Sequence, residues 1–124
     1  MKKLEKEICN VMYSFVKEHI NEVKDSYEDL GFKDEKDMLS KIKRNITDSI
    51  WALTELCYWG LGQNYYKSFI HEEFATDDDA HVYVIEDSNK IKRYFIVDYE
   101  NWIPCEVELE TKLVEIKTWT VKNK

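Results

Sequence analysis

The sequence predicts an α+β fold: an N-terminal helical hairpin plus a short third helix, followed by a four-stranded antiparallel β-meander. Three observations carry this expectation. Apolar residues recur at intervals of three and four up to residue 74. After residue 80 the apolar period falls to two. The 124 residues include three glycines and one proline, which leaves little room for long linkers. The chain is therefore read as one domain over residues 1–124, and its 44% apolar content is ample for a single core.

The first helix is expected at about 2–30. Leu4, Ile8, Val11, Met12, Phe15, Val16, Ile20 and Val23 form one stripe, Tyr27 and Leu30 continue it, and Gly31 is a natural stop. His19 falls beside the stripe and reads as a boundary residue. A second helix is expected at about 35–59. Asp34 is its N-cap, and Asp37 stands three residues on, at capping-box spacing. Its stripe runs Met38, Ile42, Ile46, Ile50, Leu53 and Leu56, with Gly60 and Gly62 beyond the end. Trp51, Tyr58 and Trp59 widen its apolar surface, which calls for a cover. A shorter third helix is expected at about 64–74, with Tyr66, Phe69, Ile70 and Phe74 on one side.

Strands are expected at about 81–86, 91–99, 102–109 and 113–121, joined by hairpin-length connections at 87–90, 100–101 and 110–112. Pro104 cannot donate to a ladder, so it implies an edge or a bulge near the start of the third strand. On that strand Ile103, Cys105, Val107 and Leu109 share one face, read as the core face, and Glu106 and Glu108 share the other, read as wet. Val114 and Ile116 are assigned to the core face of the last strand. Trp102 and Trp119 fall on the wet side, where a sheet covered on one face should be polar. They either pack under the third helix or mark a contact surface.

The stretch HEEFATDDDAH at 71–81 is the part of the chain that most resembles a chemical site. It opens like the zinc-protease motif HExxH, but Ala75 stands where the second histidine belongs. Its consecutive aspartates lack the alternation and central glycine of a calcium loop. Cys9, Cys57 and Cys105 are far apart, lie at apolar positions and read as reduced core thiols. Three glycines cannot build a phosphate-binding loop. No catalytic residue, metal or cofactor is therefore expected, and the chain reads as a non-enzyme.

Charge carries the functional expectation. The net charge is −7, but 1–70 and 82–124 each carry −1, and the eleven residues 71–81 carry −5. A protein that binds nucleic acid directly would show a basic surface. Lys41, Lys43 and Arg44 make only one short cluster, read as a solvated helix face. Acid next to aromatic residues suits a protein–protein surface with aromatic anchors and charge steering. The expectation is a small cytoplasmic binding protein that inhibits a basic protein partner, a toxin or a nucleic-acid enzyme. Two biological forms fit: a toxin-immunity protein, or a phage-encoded inhibitor of a bacterial defence enzyme. In size, charge and predicted architecture the chain resembles such proteins, with no motif behind the likeness. The expected contact residues are Glu72, Glu73, Asp77, Asp78, Asp79, Trp102 and Trp119. Two alternatives stay open. One is a small-molecule module with an aromatic pocket at Tyr58, Trp59, Tyr65, Tyr66 and Tyr94. The other is a structural subunit that forms a homodimer. No apolar run is long enough to span a membrane, and Glu5, Glu7 and Asn10 interrupt a signal-peptide core.

Overall fold

A computed structural model of the chain describes residues 1–23, 27–28, 30–58, 69, 82–111 and 117–122. Helices come first and an antiparallel sheet follows, the α+β arrangement. The helices are α1 (Lys3–Glu18), α2 (Ile20–Val23), α3 (Glu35–Arg44) and α4 (Ile46–Tyr58). The strands are β1 (Tyr83–Glu86), β2 (Lys92–Asp98), β3 (Ile103–Thr111) and β4 (Lys117–Val121). They lie side by side in chain order, each antiparallel to the next.

The expected first helix, 2–30, ends at Glu18, because His19 leaves helical geometry at φ −102° and ψ 24°. Its Nδ1 bonds the Phe15 carbonyl at 2.9 Å, and its ring stacks on Phe15 at 4.1 Å. Helical bonding resumes from the His19 carbonyl for one turn, α2. Gly31 sits at φ 86°, a left-handed conformation that glycine adopts without penalty, and the chain reverses there.

The expected helix at 35–59 is two helices. Its start is as read: Asp34 Oδ1 accepts from the Asp37 N–H at 2.8 Å, and Asp37 Oδ2 accepts from the Lys33 N–H at 3.0 Å. At Asn45 the backbone is extended, φ −126° and ψ 119°. The Asn45 side-chain oxygen accepts from the Thr47 and Asp48 N–H groups at 2.9 and 3.2 Å, so it caps α4. This break strands the buried Ile42 carbonyl at the end of α3, and the hydroxyl of the fully buried Ser49 donates to it. The expected third helix, 64–74, lies outside the described residues except for Phe69, which is buried and meets Phe15 edge-on at 4.8 Å.

The core follows from the helix stripes. Leu4, Ile8, Met12 and Val16 of α1 meet Met38 and Ile42 of α3 and Ile50, Leu53 and Leu56 of α4. The sheet closes this cluster with Tyr83, Ile85, Phe95 and Val97. Burying each such side chain contributes on the order of 1.5–3 kcal/mol. Glu7, only 8% exposed, ties α1 to the β1–β2 turn: its carboxylate accepts from the Ser88 N–H at 3.1 Å and the Ser88 hydroxyl at 2.8 Å.

The face assignment of β3 needs correction. Phe95 stands opposite Glu106, and Val97 opposite Pro104, so Glu106 and Pro104 share the helix-facing side. Cys105 and Val107 pair with Ile96 and Tyr94 on the other side, where Val82 and Val107 form a separate buried cluster. Glu106 is held on the helix side by charge. Arg93 donates to both its oxygens at 2.9 and 2.8 Å, and Lys122 Nζ lies 3.6 Å away. These hydrogen bonds and neighbouring cations hold the Glu106 carboxyl below the usual carboxylate range. Pro104 needs no bulge. It pairs in regular register with Val97 of β2, and among the described residues the β3–β4 pairing is registered from Val107 to Thr111, with the Lys122 N–H also donating to the Glu106 carbonyl at 2.9 Å. The first three strands begin one or two residues later than expected, at Tyr83, Lys92 and Ile103, and β3 runs on to Thr111; the expected start of the fourth strand lies outside the described residues. Val114 and Ile116 lie outside the described residues.

Candidate functional site: an acid-rimmed aromatic cluster

The β2–β3 connection is built around Asp98. Its Oδ1 accepts from the Glu100 N–H at 3.0 Å and from the Asn101 N–H at 3.4 Å, and its Oδ2 accepts from Asn101 Nδ2 at 2.9 Å. These bonds draw the Asp98 pKa down, the Asn101 side chain contributing most. The turn closes with the Trp102 N–H donating to the Asp98 carbonyl at 2.7 Å. Closure forces Trp102 to φ 55°, a left-handed conformation rare for a bulky residue. Conformations of this kind cost on the order of 1–3 kcal/mol and persist where surrounding contacts impose them.

Those contacts are aromatic. Trp102 meets Trp51 of α4 edge-on at 5.1 Å and Tyr99 edge-on at 5.7 Å. Trp51 is fixed in turn, its indole N–H donating to the Leu30 carbonyl at 3.0 Å. Tyr99 is 36% exposed, and its hydroxyl shares a 2.9 Å hydrogen bond with the hydroxyl of the buried Tyr83. Trp51 and Trp102 are half-buried. The three rings thus form a rigid, partly wet platform where α4 meets the β2–β3 turn.

Acidic residues are the chain and helix-face neighbours of these rings, with the Asp98 carboxylate engaged inside the turn. Asp48 and Glu55 stand three residues before and four after Trp51, on its face of α4. Asp98 and Glu100 flank Tyr99. Neither α4 nor residues 98–102 contain a lysine or arginine. Burial raises the Glu55 pKa, the mark of a partly desolvated carboxyl.

A scan against protein-family models finds no match, and neither the curated proteins nor the solved structures yield one. The residues themselves carry the functional argument.

Of the expected contact residues, Trp102 is central to the platform, and its ring leans on the core. Trp119 stands in β4 opposite Leu109. Glu72, Glu73, Asp77, Asp78 and Asp79 lie outside the described residues. So do Trp59, Tyr65 and Tyr66 of the expected aromatic pocket; Tyr58 is the last residue of α4. Tyr94 packs on the Val82–Val107 cluster and touches a cleft of about 450 Å³ whose walls are mostly charged, among them Lys3, Asp87, Arg93 and Glu108. Sequence reasoning missed Tyr99 as a site residue and took Trp51 only as helix surface. The signal for Tyr99 is the run Asp98-Tyr99-Glu100-Asn101-Trp102, a turn that spends two large aromatics where small residues usually stand, whereas no local pattern points to Trp51.

Among the described residues no group of three or more His, Cys, Asp or Glu is placed to hold a metal ion. Burial pushes the Cys57 thiol up to about 12, and burial also raises the Cys9 thiol. Both are protonated, poor nucleophiles at neutral pH. No helix among the described residues is long and apolar enough to cross a membrane.

Proposed function

We propose that the chain is a protein-binding inhibitor that docks on a basic surface of its partner through the Trp51–Tyr99–Trp102 platform. The observation that supports this reading is the combination of rigid, half-exposed aromatic rings with a rim of Asp48, Glu55, Asp98 and Glu100 and no base on either element. Aromatic side chains lose little rotamer freedom on binding and dominate interface energetics. An acidic rim speeds encounter with a basic partner and rejects acidic ones. The tract with Glu72, Glu73, Asp77, Asp78 and Asp79 adds five charges of the same sign to the chain's field. Basic surfaces are typical of nucleic-acid enzymes and of the toxins derived from them, so toxin immunity and inhibition of a defence enzyme are the two biological forms of this proposal.

The test is affinity capture with matched baits. Wild type and the double variant Tyr99→Ala/Glu100→Lys are immobilised side by side in extract of the source cell. The expected result is a basic protein held by wild type, released by salt and at least tenfold depleted on the variant. Identical captured sets on the two baits would refute the platform's role.

A further inference from the structure

The chain carries a second surface of the opposite sign. Along one face of α3, Lys43 and Arg44 lie three and four residues after Ser40, itself four after Lys36, and all are exposed. Tyr13 of α1 stands against them, with Lys17 one turn further on. Together with Leu39 and Glu35, these α3 residues and Tyr13 line an open cleft of about 510 Å³. Lys43 Nζ lies 4.7 Å from the centre of the Tyr13 ring, and Lys17 Nζ lies 5.7 Å from it. Cations from two helices therefore converge over an apolar floor of Tyr13 and Leu39, in a chain whose net charge is −7. A solvated helix face, the expectation for Lys43 and Arg44, does not require that convergence.

We infer that a second copy of this chain seats its acid-rimmed aromatic platform on the α1–α3 cleft. The inference rests on the reading of that platform as a docking surface and names what covers it when the foreign partner is absent. The two surfaces share no residue, and their charges are complementary: Asp48, Glu55, Asp98 and Glu100 on one, Lys17, Lys36, Lys43 and Arg44 on the other. Both have an apolar centre inside a charged rim, the usual anatomy of a specific interface. Tyr99 is the most exposed ring of the platform and the natural insert, since the Lys43 and Arg44 cations can receive its face. A nucleic-acid backbone fits the cleft less well, because it would leave the Leu39–Tyr13 floor unused and would meet the repulsion of an acidic chain. The contact pairs two different surfaces. It closes as a two-fold dimer if both contacts form at once, and otherwise adds copies in sequence. Competition follows: self-association and capture of a foreign partner exclude each other at the platform.

Sedimentation of the full chain over a concentration series, at low and at high salt, tests this. Two variants are compared: Lys43→Glu/Arg44→Glu, which reverses the cleft, and Tyr99→Ala/Glu100→Lys, which disables the platform. All changes are at exposed positions, and circular dichroism checks that each variant folds. At low salt the weight-average mass of wild type should rise to at least twice that of the monomer and fall back at high salt. Each variant alone should stay monomeric. An equimolar mixture of the two should form a 1:1 pair, because each supplies the surface that the other lacks. A wild type that stays monomeric throughout overturns the inference, even if its cleft binds a labelled duplex or an acidic peptide. So does association that survives in either variant, or a mixture that fails to pair. The capture experiment separates this failure from that of the docking reading. A foreign basic protein that binds Lys43→Glu/Arg44→Glu as it binds wild type leaves the platform standing without the second copy. One that still binds Tyr99→Ala/Glu100→Lys removes the platform itself.

Discussion

Trp102 shows how a single backbone angle supports a surface. Its φ of 55° costs about 1–2 kcal/mol for a residue with a Cβ. The Asp98 turn and the Trp51 and Tyr99 rings hold it there. Comparing Trp102→Gly with Trp102→Ala isolates the angle, since both lose the indole. Glycine relieves the strain, and its greater freedom in the unfolded chain offsets about 0.4–1 kcal/mol of that gain. Trp102→Gly should therefore be the more stable of the two by roughly 0.5–1 kcal/mol in urea unfolding. Equal midpoints would mean that the angle stores no strain. Trp102 was legible in the sequence as an aromatic residue out of place. Its partners were not, because Trp51, Tyr99 and Trp102 are brought together by the fold and no local pattern links position 51 to the turn.

At the scale of elements, the apolar stripe and the caps carry different information. Ile42, Ile46 and Ile50 keep helical spacing across residue 45, so the stripe alone reads as one helix. The break is legible only in the polar residues: Lys41, Lys43 and Arg44 suit a C-terminus, and Asn45 followed by Asp48 suits an N-terminus. Replacing Asn45 with Ala should cost about 1 kcal/mol in unfolding free energy. Were α3 and α4 one helix, the same change would stabilise, since alanine is the better helix former. The sheet poses a similar ambiguity. Alternation sorts β3 into two faces but does not say which one meets the helices. The face with Glu106 does, because Arg93 neutralises it there. The Glu106 pKa is lowered in the folded state, so the pair's contribution is present above the unfolded carboxylate value and is lost as the pH falls through the lower folded value. Between about pH 5 and about pH 3, wild type should lose stability more steeply than Glu106→Gln. Parallel curves would show that the pair is energetically silent.

At the scale of the whole molecule, the α+β order and much of the helical core were legible, because hydrophobic period depends on local sequence. The charge map was legible only in part. The count of −5 in 71–81 is a property of sequence, whereas the rim of Asp48, Glu55, Asp98 and Glu100 appears only once α4 and the β2–β3 turn meet. The same folding gathers Lys17, Lys36, Lys43 and Arg44 around Tyr13. An acidic protein thus carries two local surfaces of opposite sign, each around an aromatic centre. The proposed docking of a partner on the acidic surface can be probed in place. It is tested most directly by placing a photo-crosslinking residue at Tyr99 and, in a second protein, at Ser88 on the β1–β2 turn. Irradiation in extract of the source cell should give a salt-sensitive adduct with a basic protein from position 99 and none from position 88. Equal adducts from both positions, or an adduct from Ser88 alone, would rule out docking at the acidic surface.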